Sequence, residues 1–133
     1  MLTINFTVGS RYLVNRPYLR EAAQKLLADQ RLDNAQVEVM IVGERKMKAL
    51  NEEIVGHEGV TDVLSFPHHE KNDLNDFPLP EGVPPILGEV VICYPEAVTQ
   101  ARKRGKLVDE QIRFYLEHGL MHLLGHHHND GMT

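Results

Sequence analysis

The chain has a single cysteine, Cys93, so no internal disulfide can form, and a lone thiol suits a reducing compartment. It also lacks an excess of positive charge. Fourteen Lys and Arg stand against nineteen Asp and Glu, a formal net charge of −5. That balance argues against indiscriminate, high-affinity nucleic-acid binding, which needs many phosphates neutralised, but leaves room for a local basic patch. No stretch approaches a membrane span. Met1 to Val8 alternates polar and apolar residues instead of running from a basic leader into an apolar segment, so no signal peptide is expected and a cytoplasmic protein is. Internal repeats, heptad arrays and low-complexity tracts are absent too. What is left is an ordinary globular composition, 42% hydrophobic and 25% charged over 133 residues. It predicts one domain, residues 1–133, able to bury a core without staples.

Hydrophobic spacing divides the chain into alternating elements. Leu2, Ile4, Phe6 and Val8 recur at period two and predict a first strand. Pro17 can open a helix, and Leu19, Ala22, Ala23, Leu26 and Leu27 follow the helical spacing. Val37, Val39 and Ile41 predict a second strand ending at Gly43. Met47, Leu50 and Ile54 mark one face of a second helix, broken by Gly56 and Gly59. Asp62 to Phe66 is a short strand stopped by Pro67. From His68 to Pro85 four prolines, a glycine and several charges predict a long loop. Ile86 to Cys93 is a further strand, with Gly88 as a bulge and Cys93 read as packing. Pro95 opens a third helix running to about Arg104 and ended by Gly105. A last helix runs from about Leu107 to Leu124, with Asp109 and Glu110 in its first turn, where the helix dipole favours them, and Gly125 as its stop. The fold class is α+β: a mixed sheet of about four strands packed with about four helices.

Eight histidines are many for this length, and five of them lie between positions 118 and 128. His118 and His122 are four apart, so on the last helix they share a face and can grip one ion. Zinc takes nitrogen ligands at roughly 2.0–2.1 Å in a tetrahedron. A third ligand must come from His126, His127 or His128. An extended helix would carry His126 about 12 Å along the axis from His118, at about 1.5 Å per residue, which no single ion spans. The chain must turn back, and Gly125 permits it. A residue right after the turn points away from the metal more easily than one a few positions on, which favours His128. His118, His122, Gly125 and His128 have the spacing of the metzincin zinc proteases. Those enzymes place Glu immediately after the first histidine, and here that position is Gly119, which argues against peptide hydrolysis.

These same residues resemble the YbeY family, the single-strand endoribonucleases of ribosomal RNA maturation. The family's C-terminal pattern, H-G-x-L-H-L-x-G-Y-D-H, is met by His118-Gly119-Leu120-Met121-His122-Leu123-Leu124-Gly125-His126-His127-His128. Thr61-Asp62-Val63-Leu64-Ser65-Phe66-Pro67 matches its T-D-V-L-S-F-P, with Leu50-Asn51 upstream at the expected interval. Leu87-Gly88-Glu89-Val90-Val91-Ile92 is similar to its L-G-D-I-x-I. The three blocks occur in order from Leu50 onward, whereas the first forty residues agree only in their pattern of strands and helices. The resemblance implies one zinc per chain on His118, His122 and His128. It implies activity on single-stranded and ribosomal RNA, especially the 3′ end of the small-subunit RNA, and association with the small ribosomal subunit. No membrane association and no DNA partner are expected. The chain departs from the pattern at His126 and His127, which replace Tyr and Asp. It departs again at Val55, where the family usually has an arginine linked to activity.

Several other residues are candidates for a role beside the ion. Ligating histidines usually donate their second N–H to a partner, and Asp62 and Glu89 are candidate partners or bases. Ser65 is a candidate substrate contact, although a strand-end serine most often bonds backbone. Arg102, Lys103, Arg104 and Lys106 precede the metal-bearing helix and could hold phosphates near the ion. They also read as a solvated helix end favoured by the dipole. His57, His68 and His69 read as solvated loop residues. Three functions fit: a metal-dependent endoribonuclease, a ribosome-assembly and RNA-binding factor with weak or no nuclease activity, and a metalloprotease.

Overall fold

The structure, a computed structural model, describes residues 1–56, 61–68 and 83–125. Four strands and four α-helices lie within them. The strands are β1 (Leu2–Val8), β2 (Ala35–Val42), β3 (Val63–Pro67) and β4 (Ile86–Cys93). The helices are α1 (Arg16–Asp29), α2 (Glu44–Leu50), α3 (Tyr94–Arg104) and α4 (Val108–Leu123). Punctuation explains most of the boundaries. Asn15 caps α1 by accepting from the Tyr18 N–H, and Pro17 sits in its first turn. Gly105 ends α3 in a left-handed conformation, and Gly125 is left-handed just beyond α4. Glu110 reaches back to the Leu107 N–H at 3.0 Å and closes the start of α4.

The sheet order is β1-β2-β4-β3. β1, β2 and β4 run parallel, and β3 pairs antiparallel with β4 as an edge strand. This is the mixed sheet with helices that the spacing predicts. Alternation then assigns its two faces. Ile4, Val37, Val39, Ile41, Val90 and Ile92 point into a core closed by Leu19, Ala23 and Leu27 of α1, Ala97 of α3, and Ile112, Leu116, Leu120 and Leu123 of α4. The opposite face is smaller. Val42, Val91 and Cys93 pack there against Met47 of α2, with Leu64 and Phe66 alongside. Cys93 is buried and packs as expected, and burial pushes its thiol above the ordinary range.

Two local features differ from the sequence reading. The second helix does not keep one apolar face through Ile54. Its end, Asn51–Val55, winds as a π-turn before Gly56 turns left-handed. The wider i→i+5 spacing shifts the phase, so Asn51 is buried while Ile54 stays 61% exposed. Pro67, read as the stop after the third strand, is its last paired residue, opposite Gly88. The long predicted loop falls mostly outside the described residues, as do His57, Gly59 and His69. His68 is exposed. Among the described residues no helix is long and apolar enough to cross a membrane.

The β4 bulge is confirmed by the register: Gln36 pairs with Ile86 and Val37 with Gly88, which leaves Leu87 as the extra residue. Gly88 has φ +155°, and a Cβ there would meet the Phe66 carbonyl oxygen at 2.5 Å and Leu123 Cδ2 at 2.7 Å. Gly88→Ala should therefore lower the unfolding free energy by about 1–3 kcal/mol through overpacking, with backbone strain added. Urea denaturation measures this, and a variant as stable as wild type would mean that α4 is not seated on the bulge.

Candidate metal centre

Helix α4 builds the site because of how it sits. Ile112, Leu116, Leu120 and Leu123 face the sheet. Gly119 lies directly over β4, where a Cβ would stand 2.8 Å from Val90 Cγ1. With that face pinned, His118 falls on the exposed side of the helix and His122, one turn on, at its half-buried margin. Both are thus presented at the C-terminal end of α4, on neighbouring turns of one helix.

His122 is held from β3. Its Nδ1 is hydrogen-bonded to Ser65 Oγ, and Ser65 pairs in register with Val90, the residue beneath Gly119. Strand parity puts Ser65 on the helix-covered face with Val63. With Nδ1 engaged, the ring is oriented so that Nε2 is the nitrogen a metal would take, in the manner of a ligand held by an outer hydrogen bond. The donor set fits an ion such as zinc: two imidazoles on adjacent turns, one of them fixed in orientation, at the exposed end of a helix. His126, His127 and His128 lie outside the described residues. Within those residues, no group of three or more His, Cys, Asp or Glu side chains converges.

The two carboxylate candidates lie in different places. Glu89 is exposed and alternates with Val90, so it points to the sheet face opposite Ser65, in register with Glu38 and Phe66. Asp62 lies beside the Tyr115 phenol. Burial pushes that phenol above its usual range, the hydrogen bond from Gln111 opposes this, and the charge of Asp62 reinforces it. Tyr115 is two turns before His122, roughly 10 Å along the axis at about 1.5 Å per residue. Glu89 is thus turned away from the histidine pair, whereas Asp62 lies beside Tyr115, one turn before His118 on the same helix. The basic cluster lies toward the other end of α4, with the charge of Arg104 felt at Tyr115. Arg102, Lys103 and Arg104 end α3, and Lys106 lies just before α4. The length of α4 from Val108 to His122, about 21 Å by the same rise, separates them from His122. Ser65 was legible as a polar residue in a matching block, but its bond to His122 depends on the β3–β4 register, which spacing alone does not fix.

The YbeY family model, described as endoribonuclease YbeY, matches residues 10–132. Curated relatives of that name include one from Dehalococcoides mccartyi, 40% identical over 124 residues, 89% of this chain and 72% of the relative. Another, from Thermus thermophilus, is 40% identical over 112 residues, covering 84% of this chain and 76% of its own. A third, from Persephonella marina, is 35% identical over 127 residues, 96% of this chain and 78% of its own. The solution structure of a Thermotoga maritima protein shares the fold, with a TM-score of 0.57 at 24% identity over 92% of this chain and 71% of that one. The chain belongs to the YbeY family.

Ser65→Ala should lower metal affinity about 10- to 100-fold, the usual cost of losing an outer partner of a ligating histidine. Zinc competition against a chromophoric chelator measures it, with thermal unfolding of the metal-free protein as control. Unchanged affinity would show that the Ser65–His122 bond does not support a ligand.

Proposed function

We propose that this protein is a zinc-dependent single-strand endoribonuclease of the cytoplasm. On this reading it acts in ribosomal RNA maturation, including the 3′ end of the small-subunit RNA, and associates with the small ribosomal subunit. The observation that carries the reading is the pair His118 and His122 on adjacent turns of α4, with His122 oriented by Ser65, in a member of a family whose curated relatives are named endoribonucleases. His128 is proposed as the third ligand, on the reach of the chain after Gly125 and the family register. One zinc per chain is proposed.

His118, His122 and His128 would hold the ion, and zinc held there would supply an acidified water and Lewis acidity toward a phosphate oxygen. The chain's own part is to fix the ligands. Ser65 fixes the His122 ring, and packing of Gly119 on Val90 fixes the turn that carries both histidines. Gly119 supplies no base. Asp62, beside Tyr115 one turn before His118, is proposed as the nearer candidate for proton transfer, and Glu89 as the candidate on the opposite face of the sheet.

A second reading, an assembly factor with weak nuclease activity, is favoured by Val55. An arginine at that position offers a guanidinium that can stabilise charge on a phosphate by paired hydrogen bonds, and valine offers neither donor nor charge.

Incubation of the purified protein with labelled single-stranded RNA and with casein, with and without chelator, separates the readings. RNA cleavage lost on metal removal, with casein intact, is the expected result. Absence of cleavage together with ribosome co-sedimentation would favour the assembly reading. Elemental analysis should give about one zinc, lost in His118→Ala and His122→Ala, and His128→Ala should cost more affinity than His126→Ala or His127→Ala. Val55→Arg should raise the single-turnover cleavage rate on the order of a hundred-fold, the typical worth of one preorganised donor, without changing metal content. A wild type already fast, to which the arginine adds nothing, would sink the role given to position 55.

A further inference from the structure

At the end of the sheet away from the histidines, the chain turns out of β1 at Gly9 and out of β2 at Gly43. Between these turns lies a cavity of about 650 Å³, walled by Tyr12 and rimmed by Arg11, Arg45 and Lys46. Its volume lies in the range of small-ligand sites, roughly 300–1,000 Å³, and it sits at the carboxyl ends of parallel strands, where open sheets commonly hold ligands. The wall is preorganised. Tyr12 stacks on Tyr94 with ring centroids 4.4 Å apart and planes 14° from parallel, and its amide donates to the Gly9 carbonyl at 3.0 Å. Both glycines are needed for this: a Cβ at Gly9 would stand 2.9 Å from the Tyr12 ring, and one at Gly43 2.6 Å from its hydroxyl oxygen.

The charge around the cavity is opposite to that of the whole chain. Three cations and one carboxylate, Glu53, are among its lining residues, in a protein of net charge −5. Neither of the ion pairs found among the described residues, Lys25–Asp29 and Arg113–Glu117, involves Arg11, Arg45 or Lys46. All three are exposed. A concave, rigid, locally cationic surface on an acidic protein is suited to phosphate.

We propose that this cavity is a phosphate-anchoring subsite for the backbone of a single-stranded RNA. Gly43 lies six positions beyond Val37, which pairs with Gly88 under Leu123. The subsite therefore stands on the order of 20 Å from the histidine end, at about 3.3 Å per residue. It holds a strand at a distance from the metal and sets which length of RNA can occupy both places. The inference rests on RNA being the substrate.

The test measures binding of a 2′-O-methyl single strand of about ten nucleotides to the zinc-loaded protein across a range of salt. Arg45→Ala combined with Lys46→Ala should weaken binding roughly ten-fold. It should also reduce the slope of log affinity against log salt by about 1.4, since each phosphate neutralised on a single strand contributes about 0.7. Metal content and melting temperature should not move. Arg102→Ala combined with Lys103→Ala removes the same charge elsewhere and should cost little. Equal losses from the two pairs, or no loss from the first, would overturn the subsite. Adenosine monophosphate separates a strand from a free nucleotide. Strand binding lost in the first pair, with no binding of the monophosphate to wild type, supports the backbone subsite. Monophosphate binding that the same pair abolishes overturns it in favour of a free-nucleotide site. Cleavage is scored separately. If wild type cleaves RNA while the variants bind normally, the subsite alone fails; if wild type neither binds nor cleaves RNA, the substrate reading fails.

Discussion

Helix α4 carries a histidine pair at the rim of the fold because almost nothing separates it from β4. Gly119 rests on Val90, and Leu123 on Gly88, at distances that would not admit a methyl group at either glycine. The apolar side chains on either side, Ile112, Leu116, Leu120 and Leu123, are fully buried, and such burial is worth about 1.5–3 kcal/mol per residue. The glycines determine how close the helix comes; the leucines and the isoleucine make that approach favourable. Once residues 119, 120 and 123 face the sheet, helical periodicity leaves no choice for 118 and 122.

The same contact reaches the ring of His122. Val90, beneath Gly119, pairs in register with Ser65 on the edge strand β3, and Ser65 bonds His122 Nδ1. A one-residue slip of β3 would turn Ser65 to the other face and present Leu64 or Phe66 instead. Those two residues are held on the other face by the smaller core with Met47 and Val91. The second core, remote from the histidines, thereby enforces the register that orients one of them. Packing on both faces of the sheet converges on a single hydrogen bond.

Much of this frame was legible in the sequence, for identifiable reasons. Period-two alternation in β1, β2 and β4 and the glycines after α3 and α4 are local signals, and local signals survive folding. The i, i+4 placement of His118 and His122 is likewise a property of one helix. What spacing alone did not resolve depends on contacts distant in sequence. Glu89 sits in a matching block, but its parity on β4 sends it to the wrong face. Asp62 lies just before β3, three residues from Ser65, and ends up beside Tyr115. The basic residues before α4 are close in sequence to the helix and far from its functional end, because the helix is long. The π-turn at Asn51–Val55 moved Ile54 outward, and the cavity between Gly9 and Gly43 joins two turns more than thirty residues apart.

Gly119 bears on the difference between this site and a zinc protease of the same histidine spacing. A missing glutamate, taken from sequence alone, looks like a lost catalytic base. In the fold it is a packing requirement: position 119 is buried against a β-branched side chain, and a glutamate there would displace α4 from β4 or bury an unpaired carboxylate, which costs several kcal/mol. In this chain a glutamate at position 119 is incompatible with the seat of α4 on β4. Proton transfer at the site would then draw on a group other than position 119, on the substrate, or on water activated by a metal held there. An RNA substrate brings its own nucleophile in the 2′-hydroxyl, whereas a peptide brings none. The close contact of Gly119 with Val90 thus favours chemistry on a substrate that carries part of the machinery with it.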